Sequence, residues 1–278
     1  MASEDSLKEP TGSALSPSLV DTPSPQKASP PLELFDSASP VMRRLFRMLT
    51  EVAVQNVPVL LRGESGTGKS MFARALHGAS ARRTRPFVAV YCPALAASWR
   101  SIAPGGPSVD GDRAAVRALR ARIAAAEGGT ILMDEVAALP ARSQVEALRL
   151  LDEAPRVAKA HRARLIASTQ RDIECAVESG EFRKDLFFRL DVVELSIPPL
   201  RDRRDDILPI ARHFLDLFAQ AEGLPPPQIA ARAEQALLAY KWPGNIRELR
   251  NAMQRATILA RDGALDLDEL PERVAAGL

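Results

Sequence analysis

From residue 34 onward the apolar positions follow two alternating rhythms. Short, almost unbroken apolar runs, VPVLL (57–61), PFVAVY (86–91), TILM (130–133), RLIAS (164–168) and VVELS (192–196), are separated by longer stretches with helical spacing. Strands that are apolar on both faces predict a parallel sheet covered by helices on both sides and joined by right-handed crossovers. Beyond Pro198 and Pro199 the rhythm becomes purely helical, in DDILPIARHFLDLFAQAEGL (205–224), IAARAEQALLAY (229–240) and NIRELRNAMQRATILARDG (245–263), with no further strand-like run. The pattern predicts an α/β domain over 34–202 and a small helical domain over 203–278. Residues 1–33 are crowded with Ser and Pro and hold too little apolar surface to offset chain entropy, so a disordered tail is expected there.

Composition narrows the function classes. A chain of 278 residues that is 46% hydrophobic and 26% charged can bury a full core. Its 37 basic and 35 acidic side chains leave a net charge of +2, so no overall field calls for nucleic acid or an anionic membrane. Cys92 and Cys175 lie far apart, as do His77, His161 and His213, which argues against a disulfide framework or a protein-built metal centre. Without a long apolar run or a signal-peptide pattern, a cytoplasmic protein with no membrane contact is expected.

The chemistry begins after the first strand. GESGTGKS has the spacing of a phosphate-binding Walker A loop: Gly63, Glu64, Ser65, Gly66, Thr67, Gly68, Lys69 and Ser70. Its glycines let backbone N–H groups converge on a phosphate, Lys69 reaches the β- and γ-phosphates, and Ser70 can ligate Mg2+. The third strand, GGTILMDEV, delivers Asp134 and Glu135 to its carboxyl end, where open α/β sheets hold their ligands. Asp134 suits the metal and Glu135 suits the attacking water, which points to ATP hydrolysis. In isolation an Asp-Glu pair better fits the start of a helix, where acidic residues favour the N-terminal dipole, and it is the phosphate-binding loop upstream that favours catalysis.

Further motifs carry a resemblance. FRKDLFFRLDVVELSIPPLRDRRDDI (182–207) and WPGNIRELRN (242–251), with GESGTGKS and AEGGTILMDEV, resemble the signature stretches of the sigma-54 interaction domain, the AAA+ ATPase of bacterial sigma-54-dependent transcription activators. The resemblance spans about residues 34–275. It implies an AAA+ P-loop NTPase with a helical lid, ATP and Mg2+ as cofactors, and a hexameric ring of copies. It also implies Thr169 at the sensor I position, Arg247 as the sensor II arginine, and Arg183 and Arg189 as arginines offered to a neighbouring subunit's nucleotide. A guanidinium fork stabilises charge on a transferring phosphoryl group. The same arginines also fit surface pairing with Asp185 or Asp191.

The sequence departs from that family in several places. The span that matches the GAFTGA contact loop reads DGDRAA (110–115), within RSIAPGGPSVDGDRAAV, and has no aromatic tip. The loop between LLDEAP and RLIAST is several residues shorter than in the family. Tyr91 stands where the family has the asparagine that holds the Walker B glutamate, and Gln170 where it usually has asparagine. No helix-turn-helix follows the helical domain, so no DNA-binding domain is expected within this chain, and the basic stretch RALRAR (117–122) reads as a solvated helix face. Two functional readings follow. One is an ATPase that acts in transcription regulation on the sigma-54 holoenzyme through an atypical contact loop. The other is an ATP-dependent regulatory subunit that joins or inhibits a related activator's ring without contacting sigma-54.

Overall fold

The computed structural model describes residues 37–95, 109–152, 162–260 and 263–276; the expected tail at 1–33 lies outside the described residues. β1 (Val59–Arg62), β2 (Phe87–Tyr91), β3 (Thr130–Asp134), β4 (Arg164–Thr169) and β5 (Glu194–Ser196) form a single sheet in the order β2-β3-β4-β1-β5. Every pairing is parallel. All five apolar runs therefore contain a strand, although the last forms ladder only over its final three residues.

The pleat sorts the apolar residues into two cores. Leu60, Val90, Ile131, Met133, Leu165 and Ala167 face one side. There they pack beneath α3 (Val109–Ala125), α4 (Ala141–Asp152), α5 (Ile173–Glu178) and α6 (Lys184–Leu190). Val59, Leu61, Leu132, Ile166 and Leu195 face the other side, against Met42, Leu45 and Leu49 of α1 (Pro40–Ala53) and Phe72, Ala73 and Leu76 of α2 (Lys69–Gly78). Two-sided burial is why the central strands β1, β3 and β4 are mostly apolar rather than alternating, whereas β5, at the sheet edge, exposes Glu194 and Ser196 around a buried Leu195. The end of α1 is held by Arg164, whose buried guanidinium donates to the Ala53 and Val52 carbonyls at 2.8 Å each. Burial, followed by the nearby Arg82 cation, lowers its pKa to about 10. A cation on those carbonyls also suits the negative end of the helix dipole.

Beyond β5, α7 (Ile207–Glu222), α8 (Ala231–Ala239), α9 (Asn245–Leu259) and α10 (Glu272–Ala275) pack around a separate apolar cluster centred on Trp242, Leu215, Leu237 and Leu249. Trp242 is fully buried and donates its indole N–H to the Leu237 carbonyl at 2.9 Å, so it is a packing residue. α7 stops at Gly223, whose φ of 69° provides the left-handed cap expected of a glycine there. One expectation is corrected. The helical part does contain strand, because β6 (Gln228–Ile229) pairs in parallel with β7 (Ala264–Leu265). Two-residue strands are too short to leave a periodic signal, and only the packing of the helices brings them together. Among the described residues no helix is long and apolar enough to cross a membrane.

Candidate nucleotide site

Because the strands are parallel, their carboxyl ends share one edge of the sheet, and that edge collects the chemistry. β1 runs directly into Gly63–Gly68, and Gly68, at φ 105°, turns the chain into the first residue of α2. A left-handed backbone is inexpensive only for glycine, and here it aims the free N–H groups of the helix start towards the loop's concave side. Lys69 is only 6% exposed. Its ammonium donates to the carbonyls of Gly63 (2.9 Å) and Glu64 (3.2 Å) and pairs with the Glu135 carboxylate at 3.1 Å.

β3 brings Asp134 beside this loop, with Ser70 Oγ 3.4 Å from Asp134 Oδ2. Glu135 follows at φ 56°, a left-handed conformation that an L-residue rarely adopts. Its carboxylate is held by Lys69 on one side and by the Gln170 backbone N–H (3.1 Å) on the other. The buried Ser168 hydroxyl donates to Asp134 Oδ1 and accepts the Glu135 N–H at 3.3 Å, so one side chain fixes both acidic residues. Burial, with the Asp134 and Glu135 charges nearby, pushes the Cys92 thiol far above its ordinary pKa and leaves it a packing residue with no nucleophilic role.

The lid closes the third side. Arg247, in the first turn of α9, donates to Ser65 Oγ at 2.8 Å, and the Ile246 N–H donates to the Gly66 carbonyl at 3.0 Å. Arg203, buried between the domains, donates to the Thr67 carbonyl at 2.9 Å. A phosphate loop, a magnesium-type hydroxyl and carboxylate, a held glutamate and a lid arginine thus surround one cleft.

Family models match this arrangement along nearly the whole described chain: a sigma-54 interaction domain over residues 35–196 and an AAA+ ATPase lid domain over 201–277. The chain belongs to the sigma-54 interaction domain family. Among its relatives, the sigma-54-dependent transcriptional regulator SfnR of Pseudomonas fluorescens (strain Pf0-1) is 39% identical over 237 residues, which is 83% of this chain and 65% of SfnR. ZraR of Klebsiella oxytoca is 41% identical over 239 residues, 84% of this chain and 54% of that protein. The chain spans about half to two thirds of the length of these curated relatives. In solved structures, NtrX from Brucella abortus in complex with ATP superposes with a TM-score of 0.73 at 32% identity, covering 86% of this chain and 56% of NtrX. RuvB of Thermotoga maritima, at 14% identity and TM-score 0.53 over 85% of this chain and 66% of RuvB, shares the fold alone. The architecture is that of an AAA+ P-loop NTPase with a C-terminal lid.

Within this sigma-54 interaction domain, the sequence-derived site residues Gly63 to Ser70, Asp134, Glu135 and Arg247 converge on the cleft. Thr169 sits beside them but turns its hydroxyl into a local turn, accepting the Arg171 N–H at 3.1 Å and donating to the Arg171 carbonyl at 3.2 Å. The hydroxyl that reaches Asp134 belongs to Ser168, which sequence reasoning passed over. Strand register sets it there, since Met133 pairs with Ala167 and the next rung brings Ser168 beside Asp134, and the sequence alone carried no signal of that register. Arg183, the residue just before α6, and Arg189, within it, are exposed, and Arg183 closes a bidentate pair with Asp185 (3.0 and 2.7 Å), the surface partner its sequence neighbourhood offered. Tyr91 ends β2 opposite Asp134, 57% exposed. The DGDRAA span (110–115) lies inside helix α3, which corrects the expectation of a loop there; residues 96–108 and 153–161 lie outside the described residues.

Proposed function

We propose that this chain is an ATP-binding and ATP-hydrolysing motor domain of the sigma-54-dependent activator type, working in bacterial transcription regulation inside the cell and turning over as a ring of copies, by likeness a hexamer. The observation that supports this reading is the Lys69–Glu135 contact at 3.1 Å, since a cation suited to phosphate and a carboxylate suited to activating water then lie within reach of one reacting atom. When nucleotide phosphates enter, Lys69 exchanges its carbonyl and carboxylate contacts for phosphate oxygens. Glu135 is then released on one side and remains oriented by the Gln170 N–H, free to accept a proton from water. Ser70 and Asp134 are the residues that would hold a magnesium ion, a hydroxyl and a carboxylate being the oxygen donors such an ion takes alongside several waters. The ion would neutralise charge on the phosphates. In this reading Arg247 supplies a cation from the chain's own lid, and Arg183, on exchanging its Asp185 contact, and Arg189 serve a neighbouring copy; their exposure supports that role.

The test is steady-state ATP hydrolysis against protein concentration, for the wild type and for Arg183→Ala. Turnover that rises cooperatively with concentration and falls by about 10³-fold in the variant is the expected result. Concentration-independent turnover that the variant retains would remove the ring from this reading, and failure to bind ATP would remove the rest. A second reading rests on the helical DGDRAA span, which presents no aromatic tip for a partner's groove. Under it the chain binds ATP and enters a related activator's ring as a regulatory subunit. Mixed rings with altered turnover would then be recovered with such an activator, and not with this chain alone.

A further inference from the structure

The phosphate loop in this structure is bound to the lid residue by residue, through groups with no direct part in binding phosphate. Glu64 accepts from Nη1 and Nη2 of Arg201, at 2.9 and 2.6 Å, from the short turn Leu200–Asp202 between the domains. It also receives Asn245 Nδ2 at 3.1 Å. Asn245 is fully buried at the start of α9, with φ 52°. Its amide nitrogen donates a second time, to the Ser65 carbonyl at 3.0 Å, and its amide oxygen accepts the Leu200 N–H at 2.8 Å. A single amide therefore joins the loop, the interdomain turn and the lid. The surfaces are also in steric contact, since a Cβ on Gly66 would lie 2.3 Å from the Gly244 carbonyl oxygen.

Such an arrangement does more than add stability. Three hydrogen bonds with fixed directions converge on a buried amide whose backbone is itself in a sparsely populated region, and features of that kind persist where geometry is tightly determined by their surroundings. Arg247 lies two residues after Asn245, so any shift of Asn245 relative to the loop moves the arginine by a similar distance. A displacement of an ångström is enough to lose much of an oriented charge's effect on a transition state.

We propose that Glu64, Arg201 and Asn245 form a latch that locks the lid in register with the phosphate loop, and that Glu64 is thereby a positioning residue for hydrolysis, acting through Arg247. The inference rests on the ATPase reading above. Glu64 and Arg201 are 42% and 39% exposed, so replacing either leaves no buried unpaired charge and the variants should fold. The experiment combines ATP kinetics at saturating protein concentration with hydrogen exchange of the nucleotide-free chain, for Glu64→Gln, Arg201→Gln, Arg247→Ala and the double variant Glu64→Gln/Arg247→Ala. The lid surface pair Arg212–Glu234 gives a control, Arg212→Gln, with wild-type turnover expected.

In the two latch variants, kcat is expected to fall by about tenfold with ATP KM changed less than about threefold, and the amides of 63–69 and 244–249 to exchange faster together. The double variant is expected to be no slower than Arg247→Ala alone, because the latch works through that arginine. Losses that multiply in the double variant, or unchanged kcat and exchange in the single variants, would overturn the proposal. A wild type that binds no ATP would instead overturn the ATPase reading. Hydrogen exchange would then decide the latch by itself: coupled acceleration of both segments supports it, and acceleration in only one refutes it.

Discussion

At the scale of single residues, the site depends on hydroxyls and carboxylates held by partners distant in sequence, on a neighbouring strand. Ser168 shows this most clearly, since it is buried on β4 and bonds Asp134 and the Glu135 N–H together. Replacing it with alanine removes a donor from one and an acceptor from the other. The expected cost is about 1–3 kcal/mol of stability, with a raised magnesium requirement for turnover. Denaturant unfolding and a magnesium titration of ATPase rate measure the two effects, and a variant equal to wild type in both would show that Asp134 is oriented by other groups. Glu64 provides a pH signature. The Arg201 hydrogen bonds, then the Asn245 bond, hold its carboxyl at about 2, against an ordinary value of 4.5. A depressed carboxylate pKa stabilises the fold above the unfolded value, and that contribution is lost as pH falls from about 4.5 towards about 2. The group is partly exposed and solvent screens it, so the effect should be small. The Tm difference between wild type and Glu64→Gln should stay constant from neutral pH to about 4.5 and shrink below it. A difference that varied between neutrality and pH 5 would place the Glu64 titration elsewhere.

At the scale of elements, each segment ends where a specific contact stops it. α1 ends on the Arg164 guanidinium, α7 on Gly223, and α2 begins at the left-handed Gly68. The phosphate loop has the least room of these, because Gly66 combines a φ of 79° with the close approach of the Gly244 carbonyl. Gly66→Ala therefore introduces both backbone strain and a clash with main chain, where no side chain can move aside. It should cost about 1–3 kcal/mol and weaken ATP affinity. Thermal unfolding and nucleotide titration check this, and an unchanged Tm would mean that loop and lid are not in contact in solution. The pairing of β6 with β7 belongs to the same scale. Neither dipeptide has strand periodicity, and their alignment follows from how α7, α8 and α9 pack.

At the scale of the whole molecule, Arg183 and Arg189, the arginines proposed to serve a neighbouring copy, are both exposed. If Arg183 serves a neighbouring copy, then Arg183→Ala and Glu135→Gln, each inactive alone, should regain ATPase activity on mixing, because some interfaces then pair an intact glutamate with an intact arginine. Recovery to a detectable fraction of wild-type rate is expected. No recovery at any ratio, with both variants assembling, would assign the two residues to the same subunit's site. Much of this organisation was legible in the sequence. The five apolar runs marked five strands, three of them buried in the middle of the sheet, and GESGTGKS followed by a strand leading into Asp134 and Glu135 marked the site, because parallel strands must carry their loops to one edge. Local composition determines these features: two-sided burial requires continuous apolar residues, and phosphate binding requires glycine at set intervals. Only the tertiary structure decided which hydroxyl of Ser168 and Thr169 reaches Asp134, that Glu135 is held by Lys69 and Gln170, and that Glu64 belongs to the lid contact as well as to the phosphate loop. Those outcomes depend on register, on side-chain direction and on residues up to 181 positions apart, and no periodicity within a short window carries that information.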